Sequence, residues 1–163
     1  MANNTKLSAS RRAFCAVGLG LFLLSAITAC EAKPMTVNLN ISLFNYSDRS
    51  IFDIYMNKTD FMGAPAHGFY GSNSIMLEQV ITLGPQKVTW RLDGPEGMPR
   101  NGETVTAKNT PILAEIPKGV KWLALHIYPD DTVEITLSKG TPDEHNTVRG
   151  LKIIETWEKT HGK

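Results

Sequence analysis

The four histidines are the residues best suited to hold a metal ion or move a proton, but their spacing supports neither role. Two imidazoles on one metal are typically three or four residues apart, and no pair in this sequence has that spacing. His126 lies in an alternating run, which favours a strand histidine satisfied by hydrogen bonds or solvent over a catalytic one. His67 lies in a Gly-rich segment, and a surface loop residue explains it better than a general base does. The histidines are His67, His126, His145 and His161.

Carboxylates and nucleophiles form no arrangement typical of an enzyme either. Asp130 and Asp131 are neighbours in a turn sequence, where Asp is favoured because its side chain bonds to the backbone. Nothing in the sequence sets the separation of Asp53 from Asp60. There is no Gly-x-Ser-x-Gly elbow and no phosphate-binding glycine loop before a helix. We therefore expect a binding protein with no cofactor, not an enzyme.

The thiol of Cys30 has a different chemistry available to it, which is acylation. The preceding residues, Ile27-Thr28-Ala29, resemble the bacterial lipobox, in which the cysteine thiolate takes a diacylglycerol. Upstream are a basic start, an apolar run at residues 13–24 and a short stretch of small residues, which is the layout of a secretory signal. We expect residues 1–29 to be a lipoprotein signal peptide and Cys30 to be lipidated. The alternative is a free cysteine near an ordinary cleavage site.

The signal also bears on export and location. Ser10-Arg11-Arg12-Ala13-Phe14 resembles part of a twin-arginine signal, but Cys15 and Ala16 differ from the Leu-Lys that often follows, so both export routes stay open. The apolar run is shorter than the about 20 residues of a membrane span. Glu31 after Cys30 resembles the sorting rule of enteric bacteria for the outer membrane. We expect a lipid-anchored protein of the cell envelope, facing the periplasm, with residues 30–35 as a short tether.

Composition limits the partners of the mature chain. The 17 basic residues fall to 14 without Lys6, Arg11 and Arg12, against 16 acidic ones. This near-neutral balance predicts no nucleic acid partner and shows no positive stripe for an anionic membrane. Residues 36–163 are enough for one domain with a sizeable core. Because Cys15 is removed and Cys30 is acylated, that core has no disulfide.

Strand signals dominate this domain. Residues 37–43 alternate apolar and polar side chains, which predicts a half-buried strand. Residues 51–57 place Phe52, Ile54 and Met56 on one face, and the turn formers between the two runs predict a β-hairpin. Further strand-like runs are at 75–83, 87–92, 104–107, 112–116, 122–128 and 132–137. Seven or eight short strands predict an all-β, antiparallel β-sandwich, immunoglobulin-like or related. Residues 148–159 fit either a strand or a short helix.

One segment, residues 58–74, has neither strand nor helix periodicity and is rich in glycine and aromatics. It predicts a long loop, and a long loop in a compact domain is usually functional. Its aromatic and neighbouring polar residues are the candidate contacts for a partner. The alternative is that the aromatic side chains fold back and cap the domain's own core. The candidate contacts are Asp60, Phe61, Met62, His67, Phe69 and Tyr70.

The chain resembles a family of small bacterial lipoproteins whose shared domain has no assigned function. The resemblance spans most of residues 36–150 and is carried by residues 40–47, 88–92 and 122–138. Members of that family often have cysteines near residues 74–78, where this sequence has none. Similar proteins are often encoded beside phospholipase effectors of the type VI secretion system. The resemblance therefore implies an immunity protein that binds and neutralises a secreted phospholipase effector.

Two other classes remain open. An envelope structural or assembly lipoprotein would bind another envelope component without any toxin, and an envelope hydrolase with an unrecognised site is the weakest alternative. The neighbouring gene distinguishes the first two classes, because an adjacent secreted lipase indicates immunity and an envelope-assembly operon indicates the other.

Overall fold

The computed structural model describes residues 34–69, 74–140 and 146–162. The predicted signal peptide, Cys30 and the first part of the predicted tether therefore lie outside the described residues, as does Tyr70. Among the described residues, no helix is long and apolar enough to span a membrane. The elements are β1 (Thr36–Asn45), β2 (Ile51–Met56), β3 (Thr59–Ala64), β4 (Ile75–Thr82), β5 (Gly84–Pro85), β6 (Val88–Leu92), β7 (Thr104–Thr106), β8 (Ile112–Leu113), β9 (Trp122–Ile127), β10 (Val133–Ser138) and α1 (Val148–His161).

Eight strands form two four-stranded sheets that pack face to face, and β5 pairs with β8 in a separate two-stranded sheet. The first sheet has the order β10-β9-β1-β4 and the second has the order β3-β2-β6-β7. All pairs are antiparallel except β1 with β9, which are parallel. Leu39, Ile41 and Leu125 from the first sheet meet Ile54 and Trp90 from the second in one buried cluster. The prediction of an all-β sandwich is confirmed, and one pair in it is parallel.

The predicted hairpin of β1 and β2 is wrong. β1 pairs with β4 and β9, whereas β2 pairs with β3 and β6 in the opposite sheet. The turn between them carries the chain from one sheet to the other, and the Asn45 side chain fastens it by donating to the carbonyls of Arg49 and Pro65 at 2.7 and 3.0 Å. Alternation shows that each strand buries one face, but it does not show whether the two strands share a sheet.

Helix α1 settles the ambiguous tail and covers part of the outer face of the first sheet. Thr147 caps its N-terminus by accepting from the Gly150 N–H, and Gly162 ends it in the left-handed conformation. Ile154 is buried, and Trp157 packs against the cluster of Phe44, Tyr46 and Tyr128 beneath the helix. This cover explains why residues 41–46 are buried on both faces of β1, although alternation predicted a half-buried strand.

The predicted long loop at residues 58–74 is wrong in its first part, where β3 spans Thr59–Ala64. β3 lies at the edge of the second sheet and pairs with β2. Gly63 weakens the strand pattern of this segment in the sequence. Glycine is nevertheless required at this position of β3, because a Cβ would overlap the backbone oxygens of Ile51 and Phe52. Close approach of two backbones is a common reason for glycine within a strand.

Candidate functional site

The outer face of the second sheet, which we call the open face, is the candidate site. Pairing registers define it: Met62, Asp53, Arg91 and Thr104 form one row across the four strands, and Asp60, Tyr55, Thr89 and Thr106 form the next. The outer face of the first sheet is partly covered by α1, whereas large side chains of the second sheet such as Phe52 and Met62 are mostly exposed. Side chains on this face are therefore available to a partner.

A rigid ion pair lies at the centre of the open face. The Asp53 carboxylate accepts from Arg91 Nε at 2.9 Å and also from Arg91 Nη2. The hydroxyl of Tyr55 donates to the same carboxylate at 3.2 Å. Hydrogen bonds from Arg91 lower the pKa of the Asp53 carboxyl, whose side chain is only 12% exposed. Bidentate geometry of this kind fixes both side chains on the sheet surface.

Two large apolar side chains flank this ion pair. Phe52 and Met62 are each 60% exposed. The Arg91 guanidinium carbon lies 4.8 Å from the centre of the Phe52 ring, so the cation and the ring are held together. An aromatic, a methionine and an arginine on one flat surface are typical of protein interfaces, which are enriched in these residue types.

Phe52 reaches the surface because β2 bulges there. The pairing of β2 with β6 shifts by one residue between Ile51 and Asp53. This shift turns Phe52 outward next to Asp53, whereas simple alternation predicted that it shares the buried face of Ile54 and Met56. A bulge re-aims a side chain in this way without any clear signal in the local sequence, so sequence reasoning missed Phe52 and Arg91 as site residues.

The structure separates the candidate contacts predicted from the sequence. Asp60 and Met62 lie on the open face. Phe61 and Phe69 are only 1% and 3% exposed and belong to two different core clusters, so they stabilise the domain instead of offering a contact surface. His67 is partly buried, with its ring centre 5.1 Å from that of Trp157 on α1. For Phe61 and Phe69, the structure matches the alternative in which the aromatics pack into the core.

A buried polar network lies beneath α1 and involves His126. Its Nδ1 is 3.1 Å from the Tyr46 hydroxyl, and its Nε2 is 3.0 Å from the Thr136 hydroxyl. The Tyr128 hydroxyl contacts the helix cap Thr147 at 2.6 Å and donates to Glu134 at 2.8 Å. Burial raises the pKa of Tyr46 well above its usual value and that of Tyr128 to about 12. Both phenols therefore stay neutral, and the network holds the helix on the sheet, as expected for a hydrogen-bonded strand histidine.

Metal binding finds no support in the described part of the chain, where no group of three or more His, Cys, Asp or Glu side chains could hold an ion. No protein-family model matches the chain, and no curated protein sequence matches it either.

Proposed function

We propose that this chain is a lipid-anchored immunity protein of the bacterial envelope, which binds a secreted phospholipase effector through the open face and neutralises it. The observation that carries the proposal is the pair of exposed side chains, Phe52 and Met62, on an uncovered sheet face beside a fixed ion pair. Exposed apolar residues that are rimmed by polar ones mark interaction sites.

The rigidity of the open face supports protein binding. Its side chains project from strands that are hydrogen-bonded to neighbours, so little conformational freedom is lost when a partner docks. Arg91 is bound to Asp53 and lies over Phe52, which orders these three residues before a partner arrives. Residues ordered in advance contribute more affinity than mobile ones, because the entropic cost of ordering them has already been met.

The choice of a phospholipase as the partner rests on the lipobox and on the resemblance described above. A phospholipase acts at a membrane surface, and acylation of Cys30 would hold its inhibitor at that surface. The tether from Cys30 to β1 is short, so the sandwich stays close to the lipid. An inhibitor placed there needs no diffusion through the periplasm to meet the toxin.

A second candidate, an envelope assembly lipoprotein, is favoured by a different surface. β4 is an edge strand of the first sheet and exposes Leu77 and Val80. A constitutive envelope component could pair with or pack on this edge. However, a bulge next to Leu77, where Glu78 has a positive φ of 53°, disturbs the edge, and such bulges protect edge strands from pairing.

Co-expression tests the proposal. A phospholipase encoded beside this gene is directed to the periplasm with the wild-type chain, with the double variant Phe52→Ala/Met62→Ala, or with Leu77→Ala as the matched exposed control. We expect the wild type and the control to protect the cells, and the double variant to protect them poorly. Loss of two interface anchors weakens binding by roughly tenfold or more, measured by calorimetry on the purified proteins.

The outcomes separate the candidates. Loss of binding with Leu77→Ala and not with the double variant would move the interface to β4. If the wild-type chain neither binds nor neutralises the phospholipase, the immunity function is wrong. Melting temperatures serve as the check on folding, and they should be unchanged because both substituted side chains are mainly exposed.

A further inference from the structure

The end of the sandwich from which the tether leaves, which we call the tether end, carries a second exposed surface. Its first described residues are Pro34 and Met35, and the Met35 carbonyl accepts from the Leu83 N–H at 2.8 Å. Next to this contact, the short strands β5 and β8 pair Pro85 with Ile112. Met35 is 71% exposed and Ile112 is 72% exposed, so two large apolar side chains project at this end.

Two lysines lie on the chain segments next to these apolar side chains. Lys58 lies in the β2–β3 turn, and Lys87 follows β5; the N–H of Asn57 donates to the Lys87 carbonyl at 2.7 Å, which brings the two segments together. Both lysines are exposed and neither forms an ion pair with a described residue. The nearby cavity, of about 340 Å³, has Pro34 and Lys58 in its wall and no carboxylate among its lining residues.

Three more lysines lie further along the first sheet, where β9 begins and β10 ends, level with Asn40 in the middle of β1. The Lys121 carbonyl accepts from Asn40, and its N–H donates to Ser138 at the end of β10. Lys139 follows directly, and its side chain lies over Gly119, beside Lys118. Glu78 lines a cavity together with Lys121, and Glu115 lies three residues after Ile112, so Lys58 and Lys87 are the cations that matter most for this surface.

The opposite end is rich in carboxylates. Turns and loops there carry Asp48, Asp93, Glu96, Glu103, Asp130 and Asp131. Several of its cations are already paired: Arg100 with Glu103, Lys108 with Asp131 and Arg149 with Asp130. Among the described residues, Lys58 and Lys87 at the tether end have no ion-pair partner, whereas carboxylates are concentrated in the turns and loops at the far end.

We infer that the tether end docks on an anionic phospholipid surface, with Met35 and Ile112 entering the interfacial region and Lys58 and Lys87 contacting headgroup phosphates. The inference rests on the proposed acylation of Cys30. Pro34 is four positions after Cys30, and an extended chain spans at most about 14 Å over four positions. Lysines this close to anionic lipid are attracted to it, and two exposed apolar side chains add favourable burial.

Docking of this end fixes the orientation of the whole domain. β2 ends, and β3 and β6 begin, next to Lys58 and Lys87, so docking of these lysines would hold the open face at a fixed angle to the membrane and leave it accessible to a partner. A partner that works at the lipid surface would meet the open face there. The lipid anchor alone would leave the domain free to rotate about its tether.

A single fluorescent label tests the orientation in the full lipidated chain. Mature protein has no cysteine besides Cys30, so Ile112→Cys provides one free thiol for an environment-sensitive dye. Met98→Cys, in the loop at the far end, is the matched control. On vesicles of phosphatidylcholine and phosphatidylglycerol, the dye at position 112 should show a blue shift and a several-fold rise in emission. The dye at position 98 should keep the emission that it has in water.

Charge reversal supplies the second measurement. Lys58→Glu/Lys87→Glu should abolish the blue shift at position 112 while the protein still floats with the vesicles, whereas Lys152→Glu/Lys159→Glu on α1 should leave it unchanged. If the dye on the acylated chain gives the same water-like emission at positions 112 and 98, the docking inference is wrong, whereas the proposed lipid anchor on Cys30 is unaffected. If mass spectrometry finds Cys30 unacylated, both the anchor and docking are overturned. Phospholipase binding in solution is independent of either result.

Discussion

The hydroxyl of Tyr46 lies between Nδ1 of His126, at 3.1 Å, and Oδ1 of Asn146, to which it donates at 2.7 Å. Nε2 of the same imidazole lies 3.0 Å from the Thr136 hydroxyl, so both ring nitrogens of His126 have a hydrogen-bond partner. Tyr46, which directly follows β1, thus links β9 to the segment that leads into α1.

Removal of this hydroxyl should destabilise the domain. Tyr46→Phe leaves His126 Nδ1 without its tyrosine partner in a buried site, and a lost buried partner costs about 1–3 kcal/mol of unfolding free energy. Chemical denaturation measures the change. Tyr55→Phe on the open face is the matched control and should change stability by less than about 0.5 kcal/mol. Equal effects of the two substitutions would show that the network does not hold the helix.

Gly150→Ala tests how closely α1 approaches the sheet. Alanine favours an isolated helix over glycine by about 1 kcal/mol. In this helix, however, a Cβ at position 150 would overlap the Tyr46 ring and hydroxyl, so we expect the substitution to lower the melting temperature. Lys152→Ala, on the exposed side of the helix, should leave it nearly unchanged. A more stable Gly150→Ala protein would mean that the helix lies further from Tyr46.

Phe69 and Met62 come from the same predicted segment and should respond in opposite ways. Phe69 is buried among Tyr46 and Trp157, so Phe69→Ala should cost about 3 kcal/mol of unfolding free energy. Met62→Ala should have little effect on stability and should weaken partner binding. Thermal melts and calorimetry on both variants measure the two effects separately. An unchanged melting temperature for Phe69→Ala would contradict its place in the core.

The lowered pKa of Asp130 predicts that the domain loses stability in acid. The Thr132 hydroxyl first, and the Arg149 guanidinium next, lower the pKa of the Asp130 carboxyl to about 2. Because the folded-state pKa is lower than the unfolded value of about 4, ionised Asp130 stabilises the fold above that pH, and the contribution is lost as the pH falls from about 4 to about 2. Unfolding should therefore be less pH-dependent in this range for Asp130→Asn. Asp48→Asn, whose side chain is exposed, is the control and should follow the wild type.

The sequence alone indicated most of the strands, with β3 as an exception, and which side of most of these strands is apolar. Residues 122–128 illustrate this: the predicted division of His126 and Tyr128 from Leu123, Leu125 and Ile127 is the division found between the two buried clusters. Alternation is a local property of the backbone, because side chains on a strand point to opposite faces. Turn formers between the runs are local as well. The strand content could therefore be read directly.

Only the tertiary structure decided which strands pair with each other, and this pairing in turn decided which residues form the candidate site. β1 pairs in parallel with β9, about 80 residues further along the chain, and local patterns do not encode contacts at that separation. The bulge in the pairing of β2 with β6 exposes Phe52. Phe61 is buried on the core side of β3, and Phe69 is buried in the cluster beneath α1. Only the fold brings Lys58 and Lys87 beside the exposed Met35 and Ile112 without an ion-pair partner among the described residues, and the near-neutral composition does not reveal this local charge.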